Sequence, residues 1–271
     1  MKGFIIVFLL IGLLFLAPYQ LKAGSFTVIP IKVFLEEKKT ATISVTNNGE
    51  EKVNVQVRAV EWSQDEEGRD KFSPTKEIIF FPKIFAIEKG EERIVRIGYQ
   101  GERPVMEKTY RIFFRELPVK KAGETALKMA LRIGMPVFIT PANKIEKIEI
   151  EKISLEEVKP SEESSGQKAE GSEQEAEPPP PKRMVVVRVR NKGNVHVSPR
   201  KIKAMGFDES GKEVFSKEVA GWYVLSGVSK PFAIEISPQE CQESRVIKVS
   251  VQTKESSLDA ELELDRTMCG H

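Results

Sequence analysis

Residues 127–141, Leu-Lys-Met-Ala-Leu-Arg-Ile-Gly-Met-Pro-Val-Phe-Ile-Thr-Pro, carry the pattern that decides the fold of this chain. Up to Met135 every second residue is apolar, and small or charged residues lie between them. Successive side chains of a β-strand point to opposite faces, so this alternation predicts a long strand with one apolar face. Pro136 cannot donate a hydrogen bond to a central ladder, which favours an edge or end position for this strand.

The same period of two recurs along most of the chain, from about residue 41 to residue 264. Turn sequences such as Asn47-Asn48-Gly49 separate the alternating segments. After residue 25, no segment carries an apolar stripe with the helical period of 3.6 over three turns. Strands of this length and spacing are typical of antiparallel sandwiches. We therefore predict an all-β chain.

Changes in composition divide the chain into segments. Residues 1–23 contain an apolar run from Phe4 to Ala17, which is shorter than the roughly 20 residues of a membrane-spanning helix and typical of a signal peptide. An uncleaved membrane anchor is the alternative. Residues from about 157 to 182 are acidic and proline-rich, so we predict a disordered loop there. One sandwich is expected at 24–142, and a second, which contains this loop, at 143–271.

Composition also narrows the class of function. The formal net charge is +2, and loss of the signal peptide removes two lysines and no acid. A neutral chain gives no electrostatic reason to expect nucleic acid as a partner or stable membrane insertion after cleavage. Two cysteines and two histidines exclude a four-cysteine zinc site and most histidine metal sites. Because motifs for nucleophilic catalysis or phosphate binding are also missing from the sequence, we expect a binding protein that is not an enzyme and has no cofactor or metal.

Several segments resemble the periplasmic pilus-assembly chaperones of the chaperone–usher pathway. Residues 114–118, Phe-Arg-Glu-Leu-Pro, are similar to the end of the F strand of that family, and residues 127–141 are similar to its long G strand. Residues 87–91 and 94–97 resemble its glycine turn and the Val-Arg strand that follows, and residues 222–227 resemble part of its second domain. The segments occur in the family's order. The resemblance implies two immunoglobulin-like β-sandwich domains.

The resemblance also implies a function. Chaperones of this family bind secreted pilus or fibre subunits by lending them their G strand, which is donor-strand complementation, and they deliver the subunits to an outer-membrane usher. The resemblance therefore implies that this protein is located in the periplasm. The apolar row that would be lent is Leu127, Met129, Leu131 and Ile133. The alternative for this row is that it faces the core of its own domain. The alternative for the protein is a secreted structural or adhesive component of a fibre or cell-envelope complex.

Two charged sites also follow from the resemblance. The family holds the C-terminal carboxylate of the subunit with an arginine near the first strand and a lysine in the G strand, but the lysine position here is Pro136. Lys32 is the candidate for the first position and Arg132 a substitute for the second, with solvated side chains as the alternative. Arg96 and Glu107 match positions that form an ion pair in the cleft between the domains, and a screened surface pair is the alternative.

Cys241 and Cys269 are candidates for a disulfide, because export to an oxidising compartment allows one. The apolar residues at 247–251 have odd numbers, and those at 258–264 have even numbers. The two rows therefore lie on one face of the hairpin only if the numbers of each pair of facing residues add up to an odd value. The register that pairs Val249 with Leu262 satisfies this rule and brings Cys241 close to Cys269 without placing them directly opposite. A disulfide and two separate thiols both remain open.

Overall fold

The structure is a computed structural model that describes residues 26–118, 130–158 and 182–269. These residues form two β-sandwiches, which confirms the all-β prediction and the immunoglobulin-like architecture. The predicted signal peptide lies outside the described residues, as do Leu127 and Met129. The strands of the first sandwich are β1 (Phe26–Ile29), β2 (Val33–Leu35), β3 (Thr40–Asn47), β4 (Val53–Gln64), β5 (Asp70–Pro74), β6 (Ile78–Phe81), β7 (Ile84–Ile87), β8 (Glu92–Tyr99), β9 (Lys108–Glu116) and β10 (Arg132–Ile139).

The second sandwich also contains a short α-helix, α1 (Pro238–Glu243), before its last two strands and a 3₁₀ helix (Arg266–Cys269) after them. Its strands are β11 (Ile148–Val158), β12 (Lys182–Asn191), β13 (Lys201–Phe207), β14 (Glu213–Ala220), β15 (Ser229–Ile236), β16 (Val246–Gln252) and β17 (Ser257–Glu263).

Both ends of the predicted loop belong to the paired strands β11 and β12. Val158 pairs with Lys182, and Glu157 pairs with Arg183. The Glu157 carboxylate and the Arg183 guanidinium lie 3.2 Å apart, so this cross-strand ion pair extends the ladder beyond the apolar residues. The remainder of the predicted loop, residues 159–181, lies outside the described residues.

Each sandwich buries the apolar face of its alternating strands. In the first, a sheet of order β1-β3-β8-β6 covers one of order β2-β10-β9-β4-β5, with β7 also pairing with β4. In the second, β11-β12-β15 covers β14-β13-β16-β17. In β4, for example, Val53, Val55 and Val57 are buried while Asn54 and Gln56 are half-buried. The opposite face of the β4 sheet packs on the second sandwich at Trp62, while Arg58 on the same face is exposed.

A buried asparagine ends one strand in each sandwich. Asn47 donates from Nδ2 to Ile87 O at 3.0 Å and to Glu51 O at 2.9 Å. Its Oδ1 accepts from the backbone N–H of Gly49 at 2.8 Å. Asn191 makes the corresponding three bonds in the second sandwich. Since buried polar groups are costly without partners, these asparagines hold their turns to the neighbouring strands.

Asn47→Ala is therefore expected to lower the free energy of unfolding by about 2–4 kcal/mol, because it leaves buried backbone groups without partners. Urea unfolding measures the change. The matched control is Asn48→Ala, since Asn48 is exposed and its side chain makes one bond, to Thr27 Oγ1 at 3.2 Å. Equal stability of the two variants would contradict this role of Asn47.

The register predicted for the last hairpin is wrong, because each residue of β16 pairs with a residue two positions earlier on β17 than predicted. Val249 pairs with Ala260, and Leu262 pairs with Ile247. The rows do share a face, but the alternation constrains only whether the sum is odd. The turn decides the value: the Thr253 hydroxyl accepts hydrogen bonds from the N–H groups of Glu255 and Ser256, which starts the turn one residue earlier than a register pairing Val249 with Leu262 requires.

The structure joins Cys241 to Cys269 by a disulfide, with the Cα atoms 5.7 Å apart. Both residues lie beyond the ladder of β16 and β17, one in α1 and the other at the end of the 3₁₀ helix. The bond is therefore compatible with a strand register that does not place the two residues opposite each other.

Candidate functional site

The strand β10 has an open edge beside the site predicted from the sequence. Along its whole length it pairs with β9 on one side. On the other side its described partner is β2, which pairs in parallel with residues 137–139 only. Residues 132–136 therefore have no second neighbour among the described strands. An open edge of this kind can accept another strand.

The direction of the backbone groups follows from the ladder. The N–H of Glu116 donates to Leu131 O at 2.8 Å, so odd-numbered residues of this segment point their backbone groups toward β9. The even-numbered residues Arg132, Gly134 and Pro136 then point theirs toward the open edge. Pro136 has no N–H to leave unpaired there, which accounts for a proline in this strand.

The apolar row of β10 enters the core of its own sandwich. Met135, Val137 and Ile139 are buried in that core. Leu131 and Ile133 are half-buried and pack against it. The described part of the predicted donor row thus shares its apolar surface with its own domain and keeps some of it accessible.

Lys32 and Arg132 lie apart on the outer face of the sheet. Because Val33 pairs with Val137, Lys32 lies at the level of Pro136, four residues along β10 from Arg132. That separation is roughly 13 Å along the strand. Lys32 is exposed, with Nζ 5.6 Å from the ring centre of Phe34. The structure does not bring these two cations together.

The predicted ion pair between Arg96 and Glu107 is wrong. Arg96 is exposed on β8, in the opposite sheet of the first sandwich. Glu107, just before β9, has a side chain only 1% exposed and points toward the second sandwich. Its Oε2 accepts from the His196 Nδ1–H at 2.6 Å and from the His196 backbone N–H at 2.8 Å. The partner of this carboxylate is therefore a histidine of the second sandwich, because the two sandwiches dock at this place.

Aromatic packing surrounds this buried pair. The His196 imidazole stacks on Phe138 with ring centres 3.8 Å apart and also faces Tyr223 at 5.4 Å. Phe138 is fully buried and packs with Trp62 and Leu225. Since Phe138 and Trp62 belong to the first sandwich and the other residues to the second, these contacts form the joint between the sandwiches.

Gln64 adds a polar clamp to the joint. Its Nε2 donates to Tyr223 O at 2.9 Å, and its Oε1 accepts from the N–H of Leu225 at 3.0 Å. No sequence pattern pointed to a role for Gln64 or His196 in this joint. No local signal marks their role in the joint, because their partners across it lie 89 or more residues away.

Arg111 lies on β9 directly opposite Pro136, and its guanidinium lies at this joint, 5.9 Å from the ring centre of Trp222 in the second sandwich. Its guanidinium lies 4.1 Å above the ring of Trp62 and 3.7 Å from the Asp70 carboxylate. Burial lowers the pKa of Arg111, and the charges of Asp70 and Tyr223 partly oppose this. No motif in the sequence predicted a functional position for Arg111.

Within the described ranges, no helix is long and apolar enough to cross a membrane. In the same residues, no group of three or more His, Cys, Asp or Glu side chains is placed to hold a metal ion. The described residues present an open strand edge at residues 132–136 and, at the joint, an arginine packed on aromatic rings. Such surfaces bind protein segments.

Comparisons with known proteins give the following. Residues 26–144 match the family model for the N-terminal domain of pili and flagellar-assembly chaperones. The chain is similar to a chain of the CsuC–CsuE chaperone–tip adhesion subunit pre-assembly complex from the archaic chaperone–usher Csu pili of Acinetobacter baumannii. The identity is 21% and the TM-score 0.53, over 88% of this chain and 98% of that one.

Two further solved structures are similar. The class 5 fimbriae chaperone CfaA has 13% identity and a TM-score of 0.49, over 89% of this chain and 99% of that one. A chain of the Salmonella enterica SafA pilin–SafB chaperone complex has 16% identity and a TM-score of 0.47, over 90% of this chain and 98% of that one. Curated proteins give no match. At these identities the likeness to the Csu structure shows the fold alone.

Proposed function

We propose that this chain, whose residues 26–144 match the family model for the N-terminal domain of pili and flagellar-assembly chaperones, is such a chaperone and captures secreted fibre subunits by strand donation. In this proposal the subunit pairs with the open edge of β10 and the chaperone then delivers it to an outer-membrane usher. The chaperone acts in the periplasm, which it reaches through the predicted signal peptide. The domain limits of 24–142 and 143–271 belong to the same proposal.

The open edge of β10 is the observation that carries the proposal. Residues 132–136 offer unpaired backbone groups at one edge, and the half-buried Leu131 and Ile133 retain accessible apolar surface. Pairing would satisfy those groups, and insertion of the row into an incomplete sandwich would bury the remaining apolar area. Leu127 and Met129, which precede this segment in the same alternation, complete the proposed row.

The joint between the sandwiches supports the proposal in a second way. Glu107, His196 and Gln64 tie the two sandwiches through partly buried hydrogen bonds. Two sandwiches held together in this way let a client bind without the cost of ordering two mobile domains. Lys32 is proposed as an anchor for a client carboxylate, and Arg132 as a separate cation because of its distance along the sheet.

Leu131→Asp is expected to reduce the amount of co-purified client at least tenfold, because the groove of the client offers no partner for a buried carboxylate. The full chain is tagged and exported together with each small β-rich secreted protein that the genes adjacent to its own are found to encode. Co-purification and native mass spectrometry give the yield and stoichiometry. Thermal unfolding of the free variant reports how much of the loss comes from its own core.

The matched control is Ile94→Asp. Ile94 is another apolar residue, 44% exposed, on the opposite sheet, so this variant should retain the client. A Leu131→Asp protein that is folded and binds client normally would contradict strand donation. Recovery of the wild-type chain from the finished fibre would favour a structural protein instead.

A further inference from the structure

The outer face of the six-stranded sheet of the first sandwich carries a cluster of arginines, here termed the arginine face: Arg58 on β4, Arg111 and Arg115 on β9, and Arg132 on β10. The ladders bring Arg58, Arg115 and Arg132 close together, whereas Arg111 lies four residues along β9 from Arg115. Arg132 is directly opposite Arg115. Arg58 is opposite Phe113, which lies between Arg111 and Arg115 along β9.

This face has almost no acid to balance it. On the described strands of this sheet the acids are Glu61, Asp70 and Glu116. Glu61 pairs with the core residue Tyr110, and Glu116 pairs with the core residue Val55, so both side chains lie on the opposite side of the sheet. Asp70 remains on this side, 3.7 Å from Arg111.

Arg58, Arg115 and Arg132 are exposed and make no ion pair with any described residue. Arg132 instead lies 3.8 Å above the ring of Phe113. Like charges directly opposite each other destabilise a sheet, so the pair of Arg115 and Arg132 costs stability in the free protein. An anion bound between them would remove that cost.

The aromatic ring at the centre of the face is held close to β10. A Cβ at Gly134 would lie only 2.7 Å from Phe113 Cε1. A glycine at this position therefore lets the ring lie flat across β10, below the Arg132 guanidinium. The ring thereby supports Arg132 next to the open edge.

The arginine face reaches the open edge of β10, since Arg132 and Gly134 are among the residues whose backbone groups point outward there. A strand added to that edge would place every second side chain on the same side as Arg132. Side chains at those positions come within reach of Arg132 directly and of Arg115 one strand further in.

We propose that the arginine face binds carboxylates on the outward side of the client strand that pairs with β10, so that acidic clients are selected. This inference rests on the proposed function of strand donation and specifies its partner. Carboxylates match the planar guanidinium groups in two-point hydrogen bonds. The continuity of the face with the open edge favours a protein strand over a nucleic acid or a lipid surface.

The probes are three short fluorescent peptides in which valine alternates with glutamate, glutamine or lysine. Alternation places all polar side chains on one side of a paired strand. Fluorescence anisotropy with the full chain at low ionic strength should show the glutamate peptide binding about tenfold more tightly than the glutamine peptide, and the lysine peptide not at all. Salt should reduce the advantage of the glutamate peptide.

The double variant Arg115→Gln/Arg132→Gln should lose about tenfold in affinity for the glutamate peptide. The control Arg93→Gln/Arg96→Gln removes the same charge from exposed arginines on β8, in the opposite sheet, and should bind as the wild type does. Arg115→Gln alone should melt at or slightly above the wild-type temperature, because it relieves the like-charge pair.

Equal affinity for the glutamate and glutamine peptides, equal loss in the control variant, or no binding of the glutamate peptide would overturn the inference. Tighter binding of single-stranded DNA or of anionic vesicles at the same residues would also overturn it, because the partner class would differ. Its failure is separable from that of strand donation. A client that is captured normally by Arg115→Gln/Arg132→Gln but lost from Leu131→Asp leaves strand donation standing and removes the acidic preference.

Discussion

Replacement of Cys241 and Cys269 together by alanine is expected to lower the free energy of unfolding by about 3–4 kcal/mol. Their disulfide spans a sequence separation of 28, and on the chain-entropy model a loop of that size gives this stabilisation. The bond also ties the 3₁₀ helix at the end of the second sandwich to α1, and both cysteines pack in the second core. Urea unfolding of the full exported chain measures the difference.

Reduction provides the control for this prediction. A reductant should destabilise the wild-type protein by a similar amount and leave the stability of the double variant unchanged. Intact-mass measurement after alkylation, with and without reductant, establishes the state of the cysteines in the exported protein. Two thiols that are alkylated before reduction would show that the bond does not form.

Glu107→Ala is expected to lower the free energy of unfolding by about 2–4 kcal/mol, because it leaves the Nδ1–H and the backbone N–H of His196 without an acceptor. These two bonds join the first sandwich to the second, so the loss should also loosen the joint. Urea unfolding gives the free energy. Tryptophan emission gives a local readout, since Trp62 packs in this joint.

The matched control is Glu102→Ala, which removes an exposed acid from the same connecting segment. It should change the free energy of unfolding by less than about 0.5 kcal/mol. If Glu107→Ala were as mild as this control and left the emission unchanged, Glu107 would not hold the sandwiches together.

Much of the fold could be predicted from local pattern. Strand β4 buries alternate valines as its sequence indicates, and the turn after Ile87 contains Gly90 with φ of 72°, a conformation that glycine adopts readily. The edge position of β10 followed from Pro136 alone. Such features depend on the properties of neighbouring residues, so a single segment is enough to predict them.

The charged sites could not be predicted in the same way. A resemblance between segments suggested Arg96 as the partner of Glu107, whereas the structure places His196 there. The partner depends on which loop of the second sandwich docks on the first. Nothing within either segment encodes that choice.

The sequence by itself determined the all-β class, because burial of one face of a strand imposes a local period of two. It also indicated the two sandwiches, the edge strand through Pro136, and the two cysteines available for a bond. Only the tertiary structure decided the register of the last hairpin, the union of Glu107 with His196, and the assembly of Arg58, Arg115 and Arg132 on one face. These depend on turn geometry and on the lateral order of strands that are far apart in the chain. Alternation constrains which face a residue occupies, but it does not specify which distant residue lies beside it.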